Sequence, residues 1–235
     1  EIKAEEGLFT FKIEESNKNW GKIESKLKEW DALDITYTTF SLKELSESDW
    51  LVMVPNWHHG YPQPEDDFEY LSSTFDLSQY CSKCGIGVFQ KERFRMLKEP
   101  KWGKCGILHL NWVFDEFFVL PEVWRDIFKM FDIPCLPVIH HRTGKNLNTV
   151  LQISNLEKVE LIDIDRYPNE ICNECGRKKH LPIIRGRYPK IRTIPKSHIA
   201  RTSEYFGSGR RAFNEVLVSQ ELYKRIVEYN LKGVS

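Results

Sequence analysis

A chain of 235 residues, 41% hydrophobic, 29% charged and 13% aromatic, is long enough to bury a core without disulfide staples and too apolar to be disordered. Its 34 basic and 34 acidic side chains cancel, so the molecule as a whole has no electrostatic pull toward a polyanion. No apolar run nears the roughly 18 residues of a membrane-spanning helix, and the acidic start EIKAEEGLF lacks the pattern of a secretory leader; the expectation is a cytoplasmic protein with no membrane partner.

From Gly7 to Ile13 the stretch GLFTFKI alternates apolar and polar residues, the period of a half-buried strand. Asn19 to Trp30 carries a helical pattern, and Ile35 to Phe40 (ITYTTF) is rich in β-branched and aromatic residues, which predicts a second strand. Ser41 followed by Glu44 is a capping box, so a short helix should open there. Trp50 to Val54 (WLVMV) is the third strand candidate. Beyond it Pro55, Gly60, Pro62 and Pro64 impose a loop. The chain is expected to leave an N-terminal α+β subdomain in this region, dividing into residues 1–77 and 78–235.

The second part repeats itself. Glu116–Phe131 can be laid over Glu215–Asn230 without a gap: Glu116, Val119, Glu122 and Ile127 meet identical residues at Glu215, Val218, Glu221 and Ile226. Apolar character is shared at Phe117 and Val216, Phe118 and Leu217, Val123 and Leu222, Trp124 and Tyr223, and Phe128 and Val227. Each copy reads as a strand running into an amphipathic helix. CLPVI follows the first as another strand, and the final GVS starts the equivalent of the second. Two related strand–helix–strand units suggest an internal duplication.

Ahead of each unit stands a CxxCG motif, Cys81–Gly85 (CSKCG) and Cys172–Gly176 (CNECG). Two-residue spacing lets both sulfurs face one tetrahedral ion while the tight turn aims backbone N–H groups at them, and the following glycine suits a position of positive φ. Cys81, Cys84, Cys172 and Cys175 are therefore candidate ligands of one structural Zn2+ per chain. A thioredoxin-type redox pair is the alternative; it needs the motif at a helix N-terminus, and Gly85 and Gly87 speak against a helix there. Separate zinc sites, completed by His180 and His109, are a further alternative. Cys105 and Cys135 have apolar neighbours and read as inert buried thiols, with a nucleophilic Cys135 served by His140 or His141 as the sharper reading.

Arg177–Arg201 holds no acidic residue. It offers a nucleic-acid surface, but packing against the acidic cluster Glu65, Asp66, Asp67 and Glu69, or facing an acidic protein, is the favoured reading. The histidines of WHHG (Trp57–Gly60) lie in a proline-rich loop, RTGKN (Arg142–Asn146) lacks the spacing of a phosphate loop, and YFGSGRRAF (Tyr205–Phe213) reads as a turn. No nucleophile, base and oxyanion set assembles from these residues, so an enzyme is not expected.

The two CxxCG motifs, the C-terminal segment ARTSEYFGSGRRAFNEVLVSQELYKRIVEYNLKGVS and their order resemble the bacterial double-CxxCG motif family, over residues from about Ser78 to Ser235. Some of its members are immunity proteins that neutralise contact-delivered toxins. The resemblance implies a cytoplasmic zinc-binding protein whose partner is a cognate protein toxin; it says little about the first seventy or so residues and nothing about oligomeric state. The expected fold is α+β: mixed sheets with short helices, and two related strand–helix–strand units joined by a four-cysteine zinc site. A zinc-containing nucleic-acid-binding module using residues 177–201 is the alternative function.

Overall fold

The computed structural model of the chain describes residues 2–5, 8–14, 16–31, 37–154 and 156–235, with residues 2–5 and 8–10 described by their backbone alone. The chain divides into two compact units, Glu1–Thr38 and Thr39–Ser235. In the first, β1 (Ile2–Glu5) pairs antiparallel with β2 (Leu8–Phe11), and α1 (Trp20–Glu29) follows. Lys26 and Lys28 stand in the last turn of α1, where cations complement the helix dipole. The strand expected at 7–13 and the helix expected at 19–30 are both present, the strand shortened to Leu8–Phe11. Of the strand expected at 35–40, residues 35 and 36 lie outside the described residues and residues 37–40 adopt no regular structure.

The second unit opens with the expected capping box. The Ser41 hydroxyl accepts from the Glu44 N–H and the Glu44 carboxylate accepts from the Ser41 N–H, which starts α2 (Leu42–Ser46). Then come β3 (Trp50–Val52), α3 (Tyr70–Thr74), β4 (Phe75–Asp76), β5 (Phe89–Gln90), β6 (Arg95–Met96), β7 (Ile107–Leu108) and β8 (Phe118–Val119). After β8 the chain forms α4 (Pro121–Val123), which continues as a π turn over Trp124–Phe128. The remaining elements are β9 (Cys135–His140), β10 (Asn146–Ile153), β11 (Glu157–Val159), β12 (Asn169–Ile171), β13 (Lys178–His180), β14 (Ile199–Thr202), β15 (Val216–Ser219) and α5 (Gln220–Glu228).

These strands build a five-stranded sheet of order β6-β9-β10-β8-β7, a four-stranded sheet of order β11-β14-β15-β3, and two short ribbons, β4-β5 and β12-β13. Both larger sheets are mixed, with β6 parallel to β9 and β11 parallel to β14. The α+β class with mixed sheets and short helices is thus as the sequence implies. The boundary is not. Trp50–Val52 is an edge strand beside β15, so residues 39–77 pack within the same unit as 78–235; the division falls at Thr38/Thr39 rather than at 77/78, because the proline-rich loop joins elements of one fold.

The two repeat copies occupy equivalent places. Phe117 and Val119 of one, and Val216 and Val218 of the other, point into a single shared core, while Phe118 and Leu217 between them turn to separate cores on the far sides of their sheets. Such alternation is the period-two rule of a strand buried on both faces. Val123 and Ile127 of the first helix meet Leu222 and Ile226 of α5 in the shared core. The helices differ in regularity: α5 is a clean α-helix capped by Ser219, whereas the first copy begins at Pro121 and bulges into its π turn. Val234 of the final GVS bridges Pro55, a few residues after β3.

Candidate metal centre

The CxxCG motifs occupy the connections of the two ribbons, Cys81–Gly85 between β4 and β5, and Cys172–Gly176 between β12 and β13. Each folds into the same turn. The Cys81 N–H donates to the Ile86 carbonyl and the Gly85 N–H to the Cys81 carbonyl; in the second copy Cys172 donates to Arg177, and Gly176 to Cys172. Each turn closes at positive φ, +82° at Gly85 and +72° at Gly176, where glycine carries no steric cost. A Cβ on Gly85 would also run into the Arg210 carbonyl.

The two turns face one another. The sulfurs of Cys81 and Cys172 stand 3.8 Å apart, those of Cys84 and Cys175 3.6 Å apart, and all four lie within 4.8 Å of each other. This cluster could hold a metal ion. A tetrahedron of sulfurs at the zinc distance of about 2.3 Å has edges of about 3.8 Å, so the donor set fits that ion in size as well as in softness. Cys81 and Cys84 are buried and Cys172 and Cys175 half-buried, with Ile86, Tyr205 and Ala212 packed around them.

The surroundings of the second motif favour thiolates. The backbone N–H of Arg177 and then its guanidinium, whose Nε lies 3.3 Å from the Cys175 sulfur, bring that thiol down to about 6. The N–H groups of Cys175 and Glu174 lower Cys172 in the same way, while burial pushes Cys84 up to about 12. Arg177 also reaches from the second motif to the chain ahead of the first, its Nη2 donating to the Gln79 carbonyl at 2.7 Å. Lys179 is 2% exposed, and its ammonium donates to the carbonyls of Cys84 (3.2 Å), Gly209 (2.6 Å) and Arg211 (3.0 Å). A divalent ion in four thiolates carries a net charge of minus two, and Arg177 and Lys179 set two positive charges against it. By sequence both residues belong to the basic run Arg177–Arg201, expected to pack against the acidic cluster or to face an acidic protein. Their offsets of two and four from Cys175 were the available signal.

An α+β protein of mixed sheets with four clustered cysteines is the class these observations define. Compared with protein-family models, curated proteins and solved structures, the chain matches none.

The other candidates fall elsewhere. Neither His180 nor His109 belongs to the cysteine cluster. His109 is wholly buried, edge-on to His58 and Phe117, and burial takes it down to about 3. Cys135 is half-buried and raised by burial. It starts β9 and His140 ends it, which at about 3.3 Å per residue leaves roughly 16 Å between them. Members of the basic run are paired within the protein, Lys178 and Arg192 at the surface and Arg201 in a half-buried position. Lys178 pairs with Asp165, Arg192 with Glu160, and Arg201 with Glu116 and Asp115. The cluster Glu65, Asp66, Asp67 and Glu69, expected to face this run, supplies none of these partners; they come from Glu160 after β11, Asp165 in the turn before β12, and Asp115 and Glu116 ahead of β8. Among the described residues no helix is long and apolar enough to cross a membrane.

Proposed function

We propose that the protein is a zinc-stabilised scaffold that binds and neutralises a cognate bacterial protein toxin in the cytoplasm, as the likeness to the double-CxxCG family implies. One observation carries the metal half of this reading: four sulfurs from motifs ninety residues apart converge at tetrahedral spacing inside a cationic surround. Four cysteine ligands leave a zinc ion no open position for water or substrate, so its contribution is rigidity. The ion ties together two ribbons of two strands each, which are marginal alone. A rigid scaffold suits an inhibitor, which loses less ordering entropy on binding. The inward placement of Lys179 and Arg201, bonded to backbone carbonyls and to Glu116, withdraws two cations of this segment from any phosphate backbone and supports a protein partner over a nucleic acid.

The test is isolation of the protein from its native host, followed by expression of whatever accompanies it. A single stoichiometric protein that arrests growth when expressed alone, and ceases to do so when this chain is co-expressed, is the expected result. Recovery of RNA or DNA, or of a partner harmless on its own, would overturn the toxin assignment while leaving the zinc site to be judged by metal analysis.

A further inference from the structure

Away from the cysteines, a cleft of about 400 Å³ opens where the five-stranded and four-stranded sheets meet. Its wall includes Gln90 and the loop between β5 and β6 on one side, Leu136 of β9, Ser154 after β10, and Lys158 and Arg201 of the other sheet. At the floor lies a fixed polar network. Gln90 and Gln152 exchange amide hydrogen bonds of 2.9 and 2.7 Å, Gln152 donates to Glu116 at 2.8 Å, and Arg201 closes the chain on Glu116 at 2.9 Å. Arg201 stands against Glu116 and, at 3.6 Å, Asp115, so the floor adds no surplus of positive charge and is already hydrogen-bonded.

The rim is different. Lys91, Arg93 and Lys158 are exposed, with Glu92 the one carboxylate among them, which leaves a surplus of two positive charges around a concave site. Two of these cations are oriented: Arg93 donates to the Asn146 side chain at 3.3 Å, and the Lys158 ammonium sits 5.8 Å over the Phe89 ring. Within the cleft, Ser154 is 4% exposed and its hydroxyl has no hydrogen-bond partner in the protein. A buried hydroxyl without a partner is costly, and because Ser154 lines the cleft a turn of its side chain would offer that hydroxyl to an acceptor bound there.

We propose that this cleft is a binding site for a phosphate group, free or carried as the monoester of a small molecule. A phosphomonoester is a dianion near neutral pH, with acceptor oxygens for mobile lysine and arginine donors and for one hydroxyl; that charge matches the surplus of the rim. The site lies apart from the cysteine cluster and is independent of the toxin-binding reading.

Titration of the 15N-labelled protein with inorganic phosphate, and separately with phenyl phosphate, at about pH 7.5 where both are mainly dianions, tests it. Saturable shifts confined to residues 90–93, 154–158 and 201, with a dissociation constant on the order of 1 mM or tighter, are expected. Preference for phenyl phosphate would assign the site to a monoester, and equal binding to free phosphate; both support it. The triple variant Lys91→Ala, Arg93→Ala, Lys158→Ala should weaken binding about tenfold or more. Ser154→Ala should weaken it without lowering the melting temperature of the free protein, whereas Lys43→Ala and Lys224→Ala should leave it untouched. Absence of saturable shifts, or equal binding of acetate at matched ionic strength, would overturn the proposal.

Discussion

The ammonium of Lys179 lies 3.2 Å from the carbonyl oxygen of Cys84, a metal-ligand candidate 95 residues earlier in the chain. The same ammonium holds Gly209 and Arg211, so one buried cation ties the β12–β13 ribbon, the first cysteine turn and the Gly-rich loop before β15. Lys179→Met keeps the stem and removes the charge, leaving three carbonyls without their donor. A loss of about 3 kcal/mol is expected, with a fall in melting temperature of roughly 10 °C. Trypsin should then cleave faster after Arg210 or Arg211. An unchanged melting curve would show that the ammonium is dispensable.

The zinc reading makes a stoichiometric prediction. Released metal, measured with a chromogenic chelator after thiol modification, should equal one zinc per chain, and Cys172→Ser should lower that figure together with solubility. Removal of the ion should first speed amide exchange at Cys172 and Gly176, whose hydrogen bonds belong to the second turn, because Cys172 and Cys175 are half-buried whereas Cys81 and Cys84 are buried. Two equivalents of zinc, or none, would refute a single shared site.

His109 should contribute a destabilising response to acid. Its folded pKa of about 3 lies below the ordinary 6.5, so between these values the unfolded chain takes up a proton that the folded protein refuses. The stability this contributes is present above about pH 6.5 and falls as pH drops, by roughly 2 kcal/mol between pH 6.5 and pH 5. Glu215, which burial pushes up to about 7, acts in the opposite direction over the same window, so the readout is the difference between wild type and His109→Leu in urea unfolding, which should change by roughly 2 kcal/mol between pH 6.5 and pH 5. A difference independent of pH would show that His109 does not carry this linkage.

Period-two and helical patterning made much of this molecule legible from sequence. The Ser41–Glu44 cap, Trp50–Val52, and the strand and helix repeated at Glu116–Phe131 and Glu215–Asn230 were all readable, since capping, alternation and amphipathicity are local properties that leave local signals. The cysteine motifs were equally plain, because the chemistry of a shared ion demands a fixed spacing within each pair. Residues 39–77 misled: their prolines and glycine look like a linker, and only pairing of β3 with β15 reveals one continuous fold.

What the sequence determined by itself was therefore the class of the fold, the repeat and the four cysteines. Tertiary structure alone decided that the two cysteine turns meet, that Phe117 and Val119 share a core with Val216 and Val218, and that Lys179 and Arg201 point inward. The physical reason is range. Backbone propensity and hydrophobic period act over a few residues, whereas a sulfur 91 positions from its neighbour, or a lysine seeking three carbonyls, is placed by sheet packing that no local pattern encodes.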